Sequence, residues 1–387
     1  MINFEYQNPT KILFGQGSIK KLSREIQKHG NRVLLVYGGN SLKKSGNYDL
    51  ITNQLSKNRI TYAELPGVTV PSLKTVYEGI RIAKENQVDM VIGIGGGCCI
   101  DVAKSVALGA AGDVDIWDVL NKKIPWTKCD VLPIGAVVTI AGSGSEMDGN
   151  SEIDNLETGV HGSIGSYMKT YPTFSILDPD LTATAPYELT AYHGACIIIQ
   201  ALEQYLCQTP DTPIQDGFIE TICRTVFCCL KMLKKNMDNV NARGQLLWAG
   251  ALVTNRILGR GKEAPWMAGP LGNIIEEKAG LDYTKGIAIT FPKYMRVCYK
   301  DCLPMSVQFA INVMNVDPEG KCDNVIAMEG ADRFQKIFDE LGLAHSLKEL
   351  GREFESYEDF QEEIDAYAAK GVISTEDLQE IVSLSIG

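Results

Sequence analysis

The stretch VIGIGGGCCIDVAKSVALGA, residues 91–110, limits the possible folds more than any other part of the chain. A short apolar run stops at Gly95-Gly96-Gly97, and a segment of helical character follows at once. Such a run suits a buried parallel strand. Glycines let the backbone approach a phosphate closely, and the unpaired N–H groups that begin a helix attract anions. The turn therefore reads as a nucleotide-binding element or, without a ligand, as a tight strand-to-helix turn. It is neither a GxGxxG fingerprint nor a Walker loop. Asp101 follows in what the pattern makes the first helical turn, where a carboxylate favours the helix dipole, and Lys104 stands one turn further as its candidate partner.

The same alternation recurs through the first half. RVLLVYGG (32–39), DMVIGIGGG (89–97), DVLPIGAVVT (130–139) and TFSILDP (173–179) read as buried strands, and SLKTVYEGIRIAKENQ (72–87) as an amphipathic helix. Strand–helix–strand repetition predicts a parallel sheet covered by helices on both faces. The opening INFEYQNPTKILFG reads as a hairpin about Asn8-Pro9. After Pro179 the apolar residues recur at helical spacing and no strand pattern is found. The expected fold class is α/β: a Rossmann-like, parallel-sheet nucleotide-binding domain over residues 1–179, then an all-helical domain over 180–387.

The first of these strands ends in Gly38-Gly39-Asn40-Ser41. Dinucleotide folds commonly place an acidic residue here to grip the ribose hydroxyls. None is present, and Lys43 and Lys44 lie close by, which favours NADP(H) over NAD(H). A net charge of −11 argues against nucleic acid and against anionic membranes, and no apolar run approaches the length of a bilayer span. The eleven cysteines are odd in number and include the adjacent pairs Cys98-Cys99 and Cys228-Cys229, a pattern of reduced thiols in a cytoplasmic protein rather than a disulfide framework. The four histidines, His29, His161, His193 and His345, form no HxxxH or HExxH pair.

Several segments together resemble the iron-containing (group III) alcohol dehydrogenases, close to the butanol dehydrogenase branch. GGGCCIDVAK (95–104) is similar to that family's GGGSxxDxAK, with Cys98 in place of serine. VVTIAGSGSEMD (137–148), FSILDP (174–179), LLWAGAL (246–252), FPKYM (291–295) and FDELGLAHSLKELG (338–351) also match. The resemblance covers almost the whole chain. It implies cofactor contacts at Gly38, Gly39, Asn40, Ser41, Gly95, Gly96, Gly97, Cys98, Asp101, Thr139, Ser143, His161 and Leu177, and a small alcohol, aldehyde or ketone as substrate. It also implies a homodimer.

Members of that family hold Fe²⁺ or Zn²⁺ with one aspartate and three histidines. Residue by residue, the four ligand positions fall on Cys196 and Gln200, in a helix anchored by Glu203 and Tyr205, and on Gly269 and Tyr283, while a further histidine of the family falls on Asn273. No metal is expected at such a set; the five residues become a candidate substrate pocket instead. Catalysis would then need another proton donor. Tyr283 is the candidate, with Lys285 or Lys262 as the cation that makes a phenol more acidic; the alternative is that its ring fills the vacated volume. Asp148 reads as a base, an N-cap or a solvated turn residue, Cys196 as a nucleophile or buried packing, and His193 as part of a different site or a polar residue at the helix start. The expected function is a metal-independent NADP(H)-dependent oxidoreductase. The rivals are a non-catalytic NADP(H)-binding protein and different chemistry on the same fold.

Overall fold

The computed structural model describes residues 1–165, 168–209 and 211–387. It divides into two compact units. One comprises Gln7–Ala185 and Asp238–Asn255; the other comprises Met1–Tyr6, Pro186–Met237 and Arg256–Gly387.

Among the described residues the first unit carries eight strands: β1 (Lys11–Phe14), β2 (Arg32–Tyr37), β3 (Thr61–Leu65), β4 (Met90–Gly95), β5 (Ile134–Val138), β6 (Ser151–Asn155), β7 (Val160–Ile164) and β8 (Phe174–Leu177). Six form one sheet in the order β1-β8-β5-β4-β2-β3, every pairing parallel. Its helices are α1 (Leu22–Ile26), α2 (Ser41–Lys44), α3 (Asn47–Lys57), α4 (Leu73–Glu85), α5 (Gly97–Ala111) and α6 (Ile116–Leu120). Alternate strand residues serve opposite faces. Leu34, Val36 and Val91 pack with Val76, Val102 and Val106 of α4 and α5. Val33, Leu35, Ile92 and Ile94 pack with Leu22, Ile26, Ile51 and Leu55 of α1 and α3. A sheet buried on both faces is what the continuous apolar runs required.

The helical unit is built from α7 (Tyr187–Tyr205), α8 (Pro213–Lys235), α10 (Ala268–Ala279), α11 (Tyr283–Val297), α12 (Leu303–Asn312), α13 (Asp323–Leu341), α14 (Gln361–Ala368) and α15 (Thr375–Ile386). Phe291, Phe309, Phe334 and Phe338 meet in its core, with the rings of the last two 4.4 Å apart. No helix among the described residues is long and apolar enough to cross a membrane, and all eleven cysteines are free.

Three expectations differ from what is observed. The chain divides between Ala185 and Pro186 rather than after residue 179, and α9 (Val240–Thr254) belongs to the α/β unit. Arg243 explains this return. It is buried in α9, and its guanidinium donates to the carbonyls of Thr182 (2.6 Å) and Ala183 (3.1 Å). The opening hairpin is absent. Only Lys11–Phe14 forms a strand, parallel to β8. Asn8 takes the N–H of Thr10 and donates to the carbonyl of Met147, while Pro9 has no N–H to offer a ladder. The observed antiparallel ribbon is β6–β7, which the sequence reading missed.

Candidate active site

The sheet order brings together most of the residues singled out for cofactor contact. The chain runs from β2 to the edge strand β3 and then returns to β4 on the other side of β2, so the topology switches between β2 and β4. In open parallel sheets, ligands bind beyond the carboxyl ends of the strands at such a switch. Tyr37 of β2 lies opposite Ile94 of β4, so Gly38, Gly39, Asn40 and Ser41 leave the sheet beside Gly95, Gly96 and Gly97. Val138 of β5 lies opposite Gly95, and the N–H of Thr139 donates to the Gly95 carbonyl at 3.1 Å. Ile176 of β8 pairs with Val137, which sets Leu177 on the same edge.

The glycines have a local cause. Gly95 takes φ 153°, and a Cβ there would fall 2.7 Å from Cys99 Sγ; a Cβ on Gly97 would meet Ser143 at 2.9 Å. The N-terminus of α5 has no side-chain cap and no acidic residue in its first turn. The N–H groups at the head of this fifteen-residue helix suit a phosphate. Cys98 is half-buried within that first turn. At the end of β2 a Cβ added to Gly39 would meet nothing within 4 Å. Lys43 sits over the rings of Tyr37 and Tyr48, and its ammonium is 4.9 Å from the latter.

Asp101 lies beyond the first turn of α5, deeper than expected. Its carboxylate accepts from Ser145 Oγ and faces Lys104 Nζ at 3.4 Å, and burial holds it above the ordinary carboxylate range. Lys104 is fully buried and donates to Ser145 Oγ and to the Asn150 carbonyl, both at 2.6 Å. This network pins the segment 145–150 to α5. The pair of Asp101 and Lys104 is visible in the sequence at i, i+3, whereas Ser145, in the GSGSE segment that carries part of the resemblance, has no such local signal.

Asp148 is buried, not a solvated turn residue, and its carboxylate accepts the N–H of Asn150 at 3.1 Å. His161 is outside the six-stranded sheet. It lies on β7, in a ribbon that packs against α4, α5 and α6, with Nδ1 2.6 Å from Asp154. The hydrogen bond to that carboxylate, and next the one to Glu152, push the imidazole up to about 10.

In the helical unit, α7 presents His193, Cys196, Gln200 and Glu203 along one face, at spacings of three, four and three residues. Gln200 Nε2 donates to Cys196 Sγ at 3.1 Å. Cys196 is buried, and burial pushes its thiol up to about 12. Glu203 accepts the N–H of Ala268 at 2.6 Å, and burial pushes its carboxyl up to about 7. Tyr205 donates to Glu220 at 2.7 Å.

Helices α10 and α11 carry the remaining positions. Gly269 faces open space, since an added Cβ would meet nothing within 4 Å. Asn273 is half-buried, and Tyr367 donates to Glu277, one turn further along α10, at 2.7 Å. Tyr283 opens α11, and its ring lies flush on Gly272, where a Cβ would fall 2.4 Å from Tyr283 Cε2. Both lysines named as its helpers have acidic partners of their own. Lys262 is buried against Asp216 with its ammonium 5.4 Å from the Tyr205 ring. Lys285 pairs with Glu188 at 3.2 Å.

One thiol, an amide, a phenol and a glycine without a side chain make a poor set for a ferrous or zinc ion, which takes imidazole, carboxylate or thiolate. The residues at Cys196, Gln200, Gly269, Asn273 and Tyr283 do not fit such a metal. Among the described residues no three His, Cys, Asp or Glu side chains converge on a possible metal position.

Comparison with known proteins bears on the chemistry. Residues 9–179 match the model for iron-containing alcohol dehydrogenase, and residues 190–380 match the Fe-containing alcohol dehydrogenase family, C-terminal. The NADH-dependent butanol dehydrogenase A of Clostridium acetobutylicum is 38% identical over 91% of this chain and 90% of its own length. A more distant relative, the NADPH-dependent aldehyde reductase YqhD of Escherichia coli, is 29% identical over 91% of this chain and 90% of its own. The crystal structure of the NADH-dependent butanol dehydrogenase A of Thermotoga maritima superposes with a TM-score of 0.91 at 32% identity, over 100% of this chain and 99% of that one.

Proposed function

The chain belongs to the iron-containing alcohol dehydrogenase family, and on that premise we propose that it is an NADP(H)-dependent oxidoreductase that interconverts a small alcohol with its aldehyde or ketone without a bound metal. The observation that carries the metal-free half is the side-chain set on α7, α10 and α11, which offers no histidine or carboxylate at the positions the resemblance assigns to metal.

NADP(H), when bound, supplies or accepts the hydride. The residues that would hold it are Gly38, Gly39, Asn40 and Ser41 at the end of β2, Gly95, Gly96, Gly97 and Cys98 at the start of α5, and Thr139, Ser143 and Leu177 beside them. The N–H groups at the head of α5 would bind a phosphate. The absence of a carboxylate at Gly39, Asn40 and Ser41, and the open space beside Gly39, favour the 2′-phosphate. The two butanol dehydrogenases above are named for NADH and the reductase for NADPH, so the preference rests on these residues alone.

As hydride reaches a carbonyl carbon, negative charge gathers on the oxygen and a proton must follow. Tyr283 is the donor in this reading, with Gln200 and Asn273 as neutral hydrogen-bonding groups on the neighbouring helices. The enzyme would work in the cytoplasm as a homodimer. NADPH oxidation measured against a panel of short aldehydes and ketones in EDTA tests the proposal. Turnover of one or more is the expected result; tight NADPH binding with no turnover of any would leave a nucleotide-binding protein that is not an enzyme.

A further inference from the structure

His193, Cys196 and Gln200 stand at i, i+3 and i+7 on α7, within an arc of about 60° and a rise of roughly 10 Å along the axis. Two atoms on this face are buried and have no hydrogen-bond partner among the described residues: His193 Nδ1 and Gln200 Oε1. Buried polar atoms are nearly always paired, and those that are not call for a ligand or a water. The atom between them, Cys196 Sγ, already accepts from Gln200 Nε2. His193 thus marks a second polar position, about two turns from Gln200, beside which the reacting oxygen is proposed to bind.

The surrounding charge decides what kind of group fits there. Asp282, the N-cap of α11, acts electrostatically on both His193 and Cys196. A carboxylate beside it is repelled. Lys285, the cation three residues further along, is held by Glu188. Burial also favours the neutral imidazole, which offers one donor and one acceptor nitrogen. A hydroxyl matches either tautomer.

We propose that His193 is a specificity-determining residue that binds a second, uncharged hydroxyl on a short-chain substrate whose reacting oxygen lies by Gln200. The ligand class is diols and hydroxyaldehydes, in preference to simple alcohols and to hydroxy acids. Two hydrogen bonds of about 2.8 Å each, joined by a short carbon chain, cover the separation along the helix. The inference rests on the oxidoreductase reading for its chemistry, but binding alone tests it.

The protein saturated with NADP⁺ is titrated by calorimetry with 1,4-butanediol, 1-butanol and 4-hydroxybutyrate. The wild type is expected to bind the diol about tenfold more tightly than 1-butanol, the change typical of one net hydrogen bond, and to bind the hydroxy acid more weakly than the diol. In His193→Phe, which keeps an aromatic ring, the ratio of diol to butanol affinity is expected to collapse to about one. His193→Gln, which restores a donor and an acceptor, is expected to recover most of it. Equal wild-type affinities, or a His193→Phe protein that unfolds at the wild-type temperature and keeps the full preference, would overturn the proposal. Should both variants fail to fold, the ring-nitrogen resonances of His193 in the wild type decide: a shift with diol and none with butanol supports the site, and no shift with diol overturns it. Absence of turnover would sink the oxidoreductase reading while leaving a selective diol titration standing.

Discussion

At the scale of single residues, Tyr283 and Gly39 carry the most exposed claims. Tyr283→Phe keeps the ring that lies on Gly272, so the fold and NADPH affinity are expected to survive. Turnover on a confirmed aldehyde is expected to fall by about 10²–10⁴-fold, the usual loss of a general acid; full activity would make the ring a space-filler. Gly39→Asp adds a carboxylate where the backbone has room. It is expected to reverse the preference to NADH, and equal NADPH and NADH affinities in the unaltered protein would contradict the basis for it. Glu203 gives a test by pH. Burial raises its folded-state pKa from 4.5 to about 7, so the folded protein keeps a proton that the unfolded chain releases. Its contribution is full below about pH 4.5 and is lost as pH rises toward 7. The stability of the wild type minus that of Glu203→Gln, followed by urea unfolding, is therefore expected to decline by up to roughly 3 kcal/mol over that window and then level off. The helix that carries Cys196 and Gln200 was legible in the sequence, whereas the start of α11 at Tyr283 was not. The thiol–amide bond between the first two, and the acidic partners that hold Lys262 and Lys285, were not legible either, because each depends on which helices meet.

At the scale of elements, the apolar runs at 32–39, 89–97, 130–139 and 173–179 announced β2, β4, β5 and β8 because central parallel strands are buried on both faces. The edge strand β3, with the sequence TYAEL, has a half-exposed face and no such run; it was missed for that reason. The β6–β7 ribbon was missed because SEIDN and VHGSI carry few apolar residues. Helix α9 was recognised as a helix but assigned to the helical unit, since helical period says nothing about which core receives it. What holds it is Arg243, so Arg243→Leu is expected to lower stability by about 2–4 kcal/mol by leaving the carbonyls of Thr182 and Ala183 unpaired. Thermal or urea unfolding reads this directly, and a loss under about 0.5 kcal/mol would show that α9 is held by its apolar face alone.

At the scale of the whole molecule, the family and its fold were readable from dispersed motifs, whereas cofactor choice and assembly rest on a few residues. Ile2 and Phe4 alternate on an opening segment that is exposed and forms no strand, and β1 is an edge strand. Edges of this kind invite pairing. Light scattering is expected to give twice the mass of a 42.4 kDa chain, and the mass of one chain would count against a dimer. The central claim is that this member of an iron-dehydrogenase family moves hydride without a metal. The direct test measures the metal content of the purified protein by elemental analysis and, on the same sample, NADPH-dependent aldehyde reduction before and after exhaustive EDTA treatment. Far less than one iron or zinc per chain and a rate that EDTA leaves unchanged are the expected results. About one tightly held transition metal per chain, with activity that disappears on chelation and returns with the metal, would contradict that claim.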